Sequence, residues 1–298
     1  MSAQSTRIFR FDASGCNGCD IEVLEASALV SLGELGIEIV ERPEDANLLI
    51  VTGGSNLKSK RELENAYSGM QAPKTVVAVG SCAATMGIFK GGYAMAGPID
   101  TIIPIDLYIT GCPPRPQVIL AALADVLHLN VEGMAERLRT PQGFRGDPHV
   151  DQDKCVGCGA CAHVCPADAI EIVGNGATRR VRFMHKDCIF CGSCQDVCPS
   201  EAVELRAGQK AWFQARDASL SEAHLVVSTC RICGAPYMPE AQVAWALRRI
   251  DEKLALGASD RGMVEHSLGI CMQCRRKNIA EVREAKRALA SLARGSSA

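Results

Sequence analysis

The residues with the most chemistry in this sequence are its 16 cysteines, spread over 298 positions. Spacing sorts them into three groups. Cys16, Cys19, Cys82 and Cys112 form the first, eight lie between Cys155 and Cys198, and Cys230, Cys233, Cys271 and Cys274 close the series. Every group is a multiple of four with no thiol left over, as expected where each metal centre takes four thiolates. Disulfide frameworks belong chiefly to short secreted domains. Here Met1 to Asp12 show neither an apolar signal core nor a twin-arginine pattern. No apolar window of roughly 18 residues exists, so no membrane-spanning helix is expected. The reading is a reduced, cytosolic protein whose thiols bind metal.

A net charge of −2 excludes recognition of nucleic acid by bulk positive charge. Apolar residues at 47% allow a sizeable core, and aromatics at only 4% leave it to Val, Ile, Leu and Ala. There is no Ser-His-Asp set, catalytic dyad or nucleotide loop, so no catalytic residue is assigned. His224 and His266 show no ligand spacing and are read as structural.

The middle group carries the sharpest pattern. Cys155, Cys158, Cys161 and Cys165-Pro166 follow C-x2-C-x2-C-x3-C-P, and Cys188, Cys191, Cys194 and Cys198-Pro199 repeat it with a period of 33 residues. Paired structural zinc sites are the alternative, but zinc needs no such eight-cysteine duplication. Residues 148–207 resemble the bacterial two-cluster ferredoxins. In that family three cysteines at intervals of three wrap a tight loop around one 4Fe–4S cluster, and the fourth ligates the other cluster. The resemblance therefore implies one cluster on Cys155, Cys158, Cys161 and Cys198, and a second on Cys188, Cys191, Cys194 and Cys165.

The elements around the first group read as alternating strands and helices. Short β-branched runs at Gly36–Val40, Asn47–Thr52, Lys74–Val79 and Leu107–Thr110 suit a parallel sheet covered on both faces. Helical stretches Ile21–Gly33, Lys58–Met70 and Pro116–Leu129 lie between and after them. The order argues for a small doubly wound, flavodoxin-like α/β sheet, in which ligands collect beyond the carboxyl ends of the strands. Cys82 and Cys112 each follow a strand at that edge, and the loop of Cys16 and Cys19 precedes the first helix. The glycine-rich stretch of Gly87, Gly91, Gly92 and Gly97 lacks the order of a phosphate cradle and reads as a loop facing a partner.

Three motifs in order, Ser14-Gly-Cys-Asn-Gly-Cys-Asp-Ile-Glu22, Val79-Gly-Ser-Cys-Ala83 and Thr110-Gly-Cys-Pro-Pro-Arg-Pro116, resemble the small electron-transfer subunit of membrane-bound nickel–iron hydrogenases. The cluster-bearing B subunit of respiratory complex I shares that fold. The resemblance covers about residues 7–130 and implies a single 4Fe–4S cluster on Cys16, Cys19, Cys82 and Cys112, beside the active site of a partner. Complex I typically places two adjacent cysteines in the first motif; the separation of Cys16 from Cys19 is the hydrogenase-like form. The resemblance also implies a role for Glu22 in proton passage. From the residues alone Glu22 is equally an exposed helix-start carboxylate favoured by the dipole.

Residues 131–149 are rich in Gly, Pro and charge and read as a linker between domain 1–130 and a ferredoxin domain at 150–208. Residues 209–298 are expected to form a helical, zinc-ribbon-like tail. Its two C-x-x-C pairs suit a tetrahedral four-thiolate zinc, with a single iron or a fourth cluster as alternatives. Val243, Ala244, Leu247, Ile250 and Leu254 mark one face of a helix between the pairs. Arg231 to Gly234 are similar to part of a nickel-binding motif of hydrogenase large subunits. Pro236 stands where that motif wants a cysteine, so the catalytic metal is expected on another subunit. A basic stretch at 271–298, with an apolar stripe of Ile279, Val282, Leu289 and Leu292, reads as a helix on its own domain, against a partner or against anionic lipid.

The combined resemblance implies a fusion of a hydrogenase small subunit with a ferredoxin subunit of the formate hydrogenlyase or complex I type. Three 4Fe–4S clusters and one zinc would relay electrons between an upstream redox subunit and a hydrogenase-like large subunit. Membrane ion-pumping subunits would anchor the assembly, placing this chain peripherally on the cytoplasmic side of the inner membrane. The alternatives are a quinone-reducing complex I relative and a non-redox module with structural metals.

Overall fold

The computed structural model describes residues 6–33, 35–129, 133–134, 136–139, 144–206, 212–213, 220–277 and 287. The first unit is built on strands β1 (Thr6–Asp12), β2 (Ile37–Ile39), β3 (Leu48–Thr52), β4 (Thr75–Val79) and β5 (Leu107–Ile109). They pair in parallel in the order β2-β1-β3-β4-β5. This is the flavodoxin-like winding, whose ligand crevice lies at the β1/β3 switch point beyond the strand ends. Helices α1 (Gly18–Leu29), α2 (Leu57–Gly69), α3 (Ser81–Thr85) and α4 (Pro116–Val126) cover the sheet.

Alternation along the strands divides the core between the two faces. Leu48, Ile50, Val77 and Val79 face Val23 of α1 and Ile119 of α4. Leu49, Val51, Val76 and Ala78 face Leu63 of α2 and Ala83 of α3. α2 starts at a capping box in which the Asn56 side chain accepts the Ser59 N–H at 2.9 Å and Ser59 Oγ accepts the Asn56 N–H at 3.0 Å. Pro116 opens α4 at a position where a missing N–H costs nothing. In the glycine-rich stretch, Met95–Gly97 pairs with Ser55–Asn56 as a short antiparallel ribbon.

β1 was not among the expected strands, yet it sits between β2 and β3. Its burial is uneven. Ile8 is buried in one core face while Phe9 and Phe11 pack against the other. Arg7 before them and Arg10 among them break the apolar run that marks the remaining strands.

In the ferredoxin-like unit β6 (Asp147–Val150) pairs antiparallel with a later strand, β9 (Val203–Arg206). Between them lie α5 (Ala160–Val164), a hairpin of β7 (Ile170–Gly174) and β8 (Thr178–Met184), and α6 (Ser193–Asp196). β6 begins inside the stretch read as linker. After β9 the chain returns to both units. β10 (Trp212–Phe213) adds an antiparallel strand to β5, and Trp212 Nε1 donates to Asp125 Oδ2 of α4 at 2.8 Å. β11 (Leu220–Thr229) then pairs with β8, and β12 (Pro236–Pro239) pairs with β11. The tail so extends the ferredoxin-like sheet, in the order β12-β11-β8-β7. Helices α7 (Glu240–Leu254), α8 (Ala258–Leu268) and α9 (Met272–Lys277) follow. The apolar stripe expected at Ile279, Val282, Leu289 and Leu292 lies outside the described residues. Among the described residues no helix is long and apolar enough to cross a membrane.

Candidate functional site

At the carboxyl edge of the first sheet, Cys16, Cys19, Cys82 and Cys112 line one cavity of about 140 Å³. Local backbone chemistry brings them together. Asp12, ending β1, accepts hydrogen bonds from the N–H groups of Ser14 and Gly15 at 3.0 and 2.9 Å, turning the chain into the Cys16 loop. Arg10 holds Asp20 at 3.0 Å across the start of α1. Gly80 takes a positive φ of 91° between β4 and α3, and Gly111 one of 140° after β5. A Cβ on Gly80 would overlap Cys19 Sγ, and one on Gly111 would sit 2.7 Å from Pro114 Cα.

Burial pushes the Cys19 thiol up to about 12, and Cys82, Cys112 and Cys16 add to the rise. Burial and the neighbouring thiols likewise push Cys82 up to about 11 and Cys112 upward. Thiols crowded this way keep their protons unless a cation takes their place, and metal coordination removes a thiol proton outright. The soft donor set fits an iron–sulfur cluster.

In the second unit Cys155, Cys158, Cys161 and Cys198 line one pocket, with Val181 and Phe183 behind them. The fourth of these belongs to the second sequence repeat. Burial pushes Cys188 upward, and Asp147, Cys194 and Cys165 reinforce it; Cys165 packs against the core cluster that contains Cys194 of the second repeat. The repeats are also alike in detail. Cys165 Sγ accepts the Ala169 N–H and Cys198 Sγ the Ala202 N–H, both at 3.3 Å.

The sulfurs of Cys230, Cys233, Cys271 and Cys274 all lie within 4.8 Å of one another. Among the described residues no other group of ligand-type side chains is so tight. Two helices, α7 and α8, span the long gap and return the chain so that Cys271 N–H donates to Cys230 Sγ at 3.3 Å. That amide, with those of Cys233 and Ile232, holds Cys230 below the ordinary thiol range.

Glu22 lies on α1 one turn beyond Cys19 and is buried rather than exposed. Its Oε1 is 3.6 Å from Arg115 Nη1, and its Oε2 has no hydrogen-bond partner among the described residues. Burial raises its pKa against the pull of Arg115.

Sequence reasoning did not find the contact between the two units. Ser81 Oγ, at the start of α3, donates to the carbonyl of Cys188 at 2.9 Å. Asp187 accepts a hydrogen bond from Thr85, and Phe190 packs against the core of the first unit, edge-on to Phe144 at 5.8 Å. One signal was available: Phe190 stands one 33-residue period after Gly157.

Thiols gathered in fours at a strand edge and in a duplicated loop unit make this an iron–sulfur protein. Residues 16–126 match the NADH ubiquinone oxidoreductase 20 kDa subunit family, and residues 138–202 match the 4Fe-4S dicluster domain. A probable membrane-bound hydrogenase subunit, mbhJ of Pyrococcus furiosus, is 35% identical over 118 residues, 39% of this chain and 71% of that protein. A B-type subunit of the NADH-quinone oxidoreductase of Roseiflexus castenholzii is 37% identical over 134 residues, 44% of this chain and 77% of that one. Formate hydrogenlyase subunit 7 of Escherichia coli K12 is 35% identical over 127 residues, 42% of this chain and 50% of its own length. A chain of the archaeal membrane-bound sulfane sulfur reductase is 28% identical with a TM-score of 0.36, covering 42% of this chain and 70% of that one. The chain belongs to the NADH ubiquinone oxidoreductase 20 kDa subunit family and carries a 4Fe-4S dicluster domain besides.

Proposed function

We propose that this chain is the electron-transfer subunit of a membrane-bound nickel–iron hydrogenase-like complex of the formate hydrogenlyase type. Cys16, Cys19, Cys82 and Cys112 would hold a 4Fe–4S cluster beside the active site of a large partner subunit. Cys155, Cys158, Cys161 and Cys198 would hold a second, and Cys165, Cys188, Cys191 and Cys194 a third. Such clusters supply one-electron transfer at potentials set by thiolate ligation and hydrogen bonds to sulfur. The observation that carries the reading is the seating of the Cys188 loop on the helix that begins beside Cys82. A ferredoxin-like unit fixed there feeds the first unit without diffusion.

The chain's own residues prepare the path. They bury Cys155 and Cys194, aim backbone amides at the sulfurs of Cys165 and Cys198 and hold the two units together. Glu22, buried between the Cys19 turn and Arg115, is the candidate for moving protons near the first site. The domains are taken as 1–130, a linker at 131–149, 150–208 and a tail at 209–298. In that tail Cys230, Cys233, Cys271 and Cys274 are assigned to structural zinc. A tetrahedral zinc with bonds of about 2.3 Å sets sulfur–sulfur edges of ~3.8 Å. Cys233 and Cys271 sulfurs are 3.8 Å apart. A cluster carries its thiolates on four different irons and spreads them wider.

The name of the membrane-bound hydrogenase relative supports a membrane complex, in which this chain would lie peripherally on the cytoplasmic side of the inner membrane. Ion-pumping membrane subunits and an upstream redox subunit would complete it. The NADH-quinone oxidoreductase relative supports a second reading, a quinone-reducing complex. Anaerobic purification of the native complex with iron, zinc and nickel analysis tests both. About twelve irons per chain in three clusters, one zinc and a nickel-bearing partner are expected. Absence of nickel leaves the quinone reading, and absence of reducible cluster signals by low-temperature EPR defeats both.

A further inference from the structure

The two ferredoxin-like loops are alike in backbone and unlike in one residue. Gly157 and Phe190 occupy the same place between the first two cysteines of their repeats, with φ of 65° and 58°. Both are in the left-handed region, where glycine is at ease and a bulky residue is strained. Gly192 matches Gly159 at φ 85° in both repeats, so glycine was retained where nothing replaced it. A strained phenylalanine in a loop whose sibling uses glycine needs a compensating contact. Here the ring leaves its own unit, packs against the core of the first unit and meets Phe144 edge-on at an interplanar angle of 72°.

That wedge lies two residues from Cys188, which Ser81 grips. Ser81 is almost fully buried, and its oxygen donates to Cys188 O at 2.9 Å while accepting the Gly111 N–H at 3.2 Å. Ser81 precedes Cys82, and Gly111 precedes Cys112. One hydroxyl therefore ties two cysteine-bearing turns of the first unit to one of the second. From Cys188 Sγ to Cys82 Sγ the path is covalent except for this single hydrogen bond.

We propose that Phe190 and Ser81 are positioning residues that seat the Cys188 loop on the Cys82 helix and make it the point of electron crossing between the two units. The proposal rests on the electron-transfer reading above. Cys165, Cys188, Cys191 and Cys194 would hold the donor cluster, which would be oxidised by one electron as the cluster held by Cys16, Cys19, Cys82 and Cys112 is reduced by it. No bond and no proton changes hands. None of these contacts between the units involves Cys155, Cys158, Cys161 or Cys198, whose cluster would then be the entry side.

The test uses the full chain with its clusters, in the parent and in Phe190→Gly, Phe190→Tyr and Ser81→Ala. Phe190→Gly copies Gly157, relieves the backbone and removes only the wedge, so cluster content should stay at the parent level. Freeze-quench EPR then follows arrival of an electron at the first-unit cluster after rapid reduction, and pulsed EPR reads the magnetic coupling between the two reduced clusters. The expected result is several-fold slower arrival and weaker coupling in Phe190→Gly and Ser81→Ala, with unchanged midpoint potentials, and parent behaviour in Phe190→Tyr. Parent rates and coupling in a fully loaded Phe190→Gly overturn the proposal, and that variant decides should Ser81→Ala lose iron. Absence of a reducible first-unit cluster in the parent itself is the separate failure of the underlying reading.

Discussion

Gly80 and Cys19 touch so closely that a Cβ on Gly80 would overlap the Cys19 sulfur, and Gly80 holds a φ of 91° that a side chain rarely adopts. The turn that launches Cys82 and the helix that carries Cys19 meet at this point, so the backbone of one sets the sulfur position of the other. Gly80→Ala must push Cys19 aside, with an overpacking cost of ~1–3 kcal/mol added to the backbone strain. The expected outcome is loss of the first-unit cluster with the ferredoxin-like pair retained. Iron per chain and low-temperature EPR of anaerobically prepared variant check it.

Crossed ligation yields a second prediction. Cys198 belongs to the second repeat but lines the pocket of Cys155, Cys158 and Cys161. Cys198→Ser should therefore remove the cluster of the first repeat, and Cys165→Ser that of the second, each at a loss of about four irons per chain. EPR spectra of the two variants should be complementary. Uncrossed loss, with Cys198→Ser silencing the Cys188 set, would show the ligand sets to be wrong.

Much of this was written in residue spacing, and the remainder was not for definite physical reasons. β3, β4 and β5 are buried on both faces and show as unbroken apolar runs, whereas β1, equally central, hides behind Arg7 and Arg10. Arg10 is accommodated because Asp20 meets it at the sheet edge. The cysteine groups were legible because spacing alone sorts them into fours, and the structure gathers the first four at one cavity, four of the middle eight at another and the last four within 4.8 Å. The seam between the units was not, since it depends on a phenylalanine in a backbone region that propensity assigns to glycine, and on a serine in a short motif whose cysteine draws all the notice. The exposed alternative for Glu22 stayed open in the sequence because one helix position cannot reveal that Arg115, far along the chain, lies against it. Nor does local pattern show that β11 joins β8 across a long sequence interval.

The tail offers a third test. Cys271 accepts and donates within the four-thiol site, and β11, which leads into it, packs Leu225 against Gly157 in the Cys155 loop. Structural zinc contributes on the order of 10 kcal/mol of apparent binding energy to the fold it closes. Cys271→Ser is expected to lose one zinc per chain and expose 230–277 to limited proteolysis. The cluster on the Cys155 side should become labile while the first-unit cluster persists. Zinc analysis, proteolysis and EPR on the same sample measure these together.

Asp147, at the start of β6, is a buried carboxyl whose Oδ1 has no hydrogen-bond partner among the described residues. Burial raises its pKa from 3.8 to about 6. The native state thus binds a proton more tightly than the unfolded chain does, so stability must fall as pH rises. The fall begins near the unfolded value of 3.8 and levels off above about 6. At a slope of ~1.4 kcal/mol for each pH step of one between those values, the full loss is on the order of 3 kcal/mol. Asp147→Asn cannot ionise, so its stability should lack this slope and exceed that of the parent at neutral pH, where the parent buries an unpaired charge. Anaerobic denaturant midpoints of both proteins from about pH 5 to 8 give the comparison, a range expected to contain about half of the loss, roughly 1.4 kcal/mol. Parallel curves for the two would mean that the Asp147 carboxyl finds a partner or solvent in solution, and that the β6 start is more open than its burial implies.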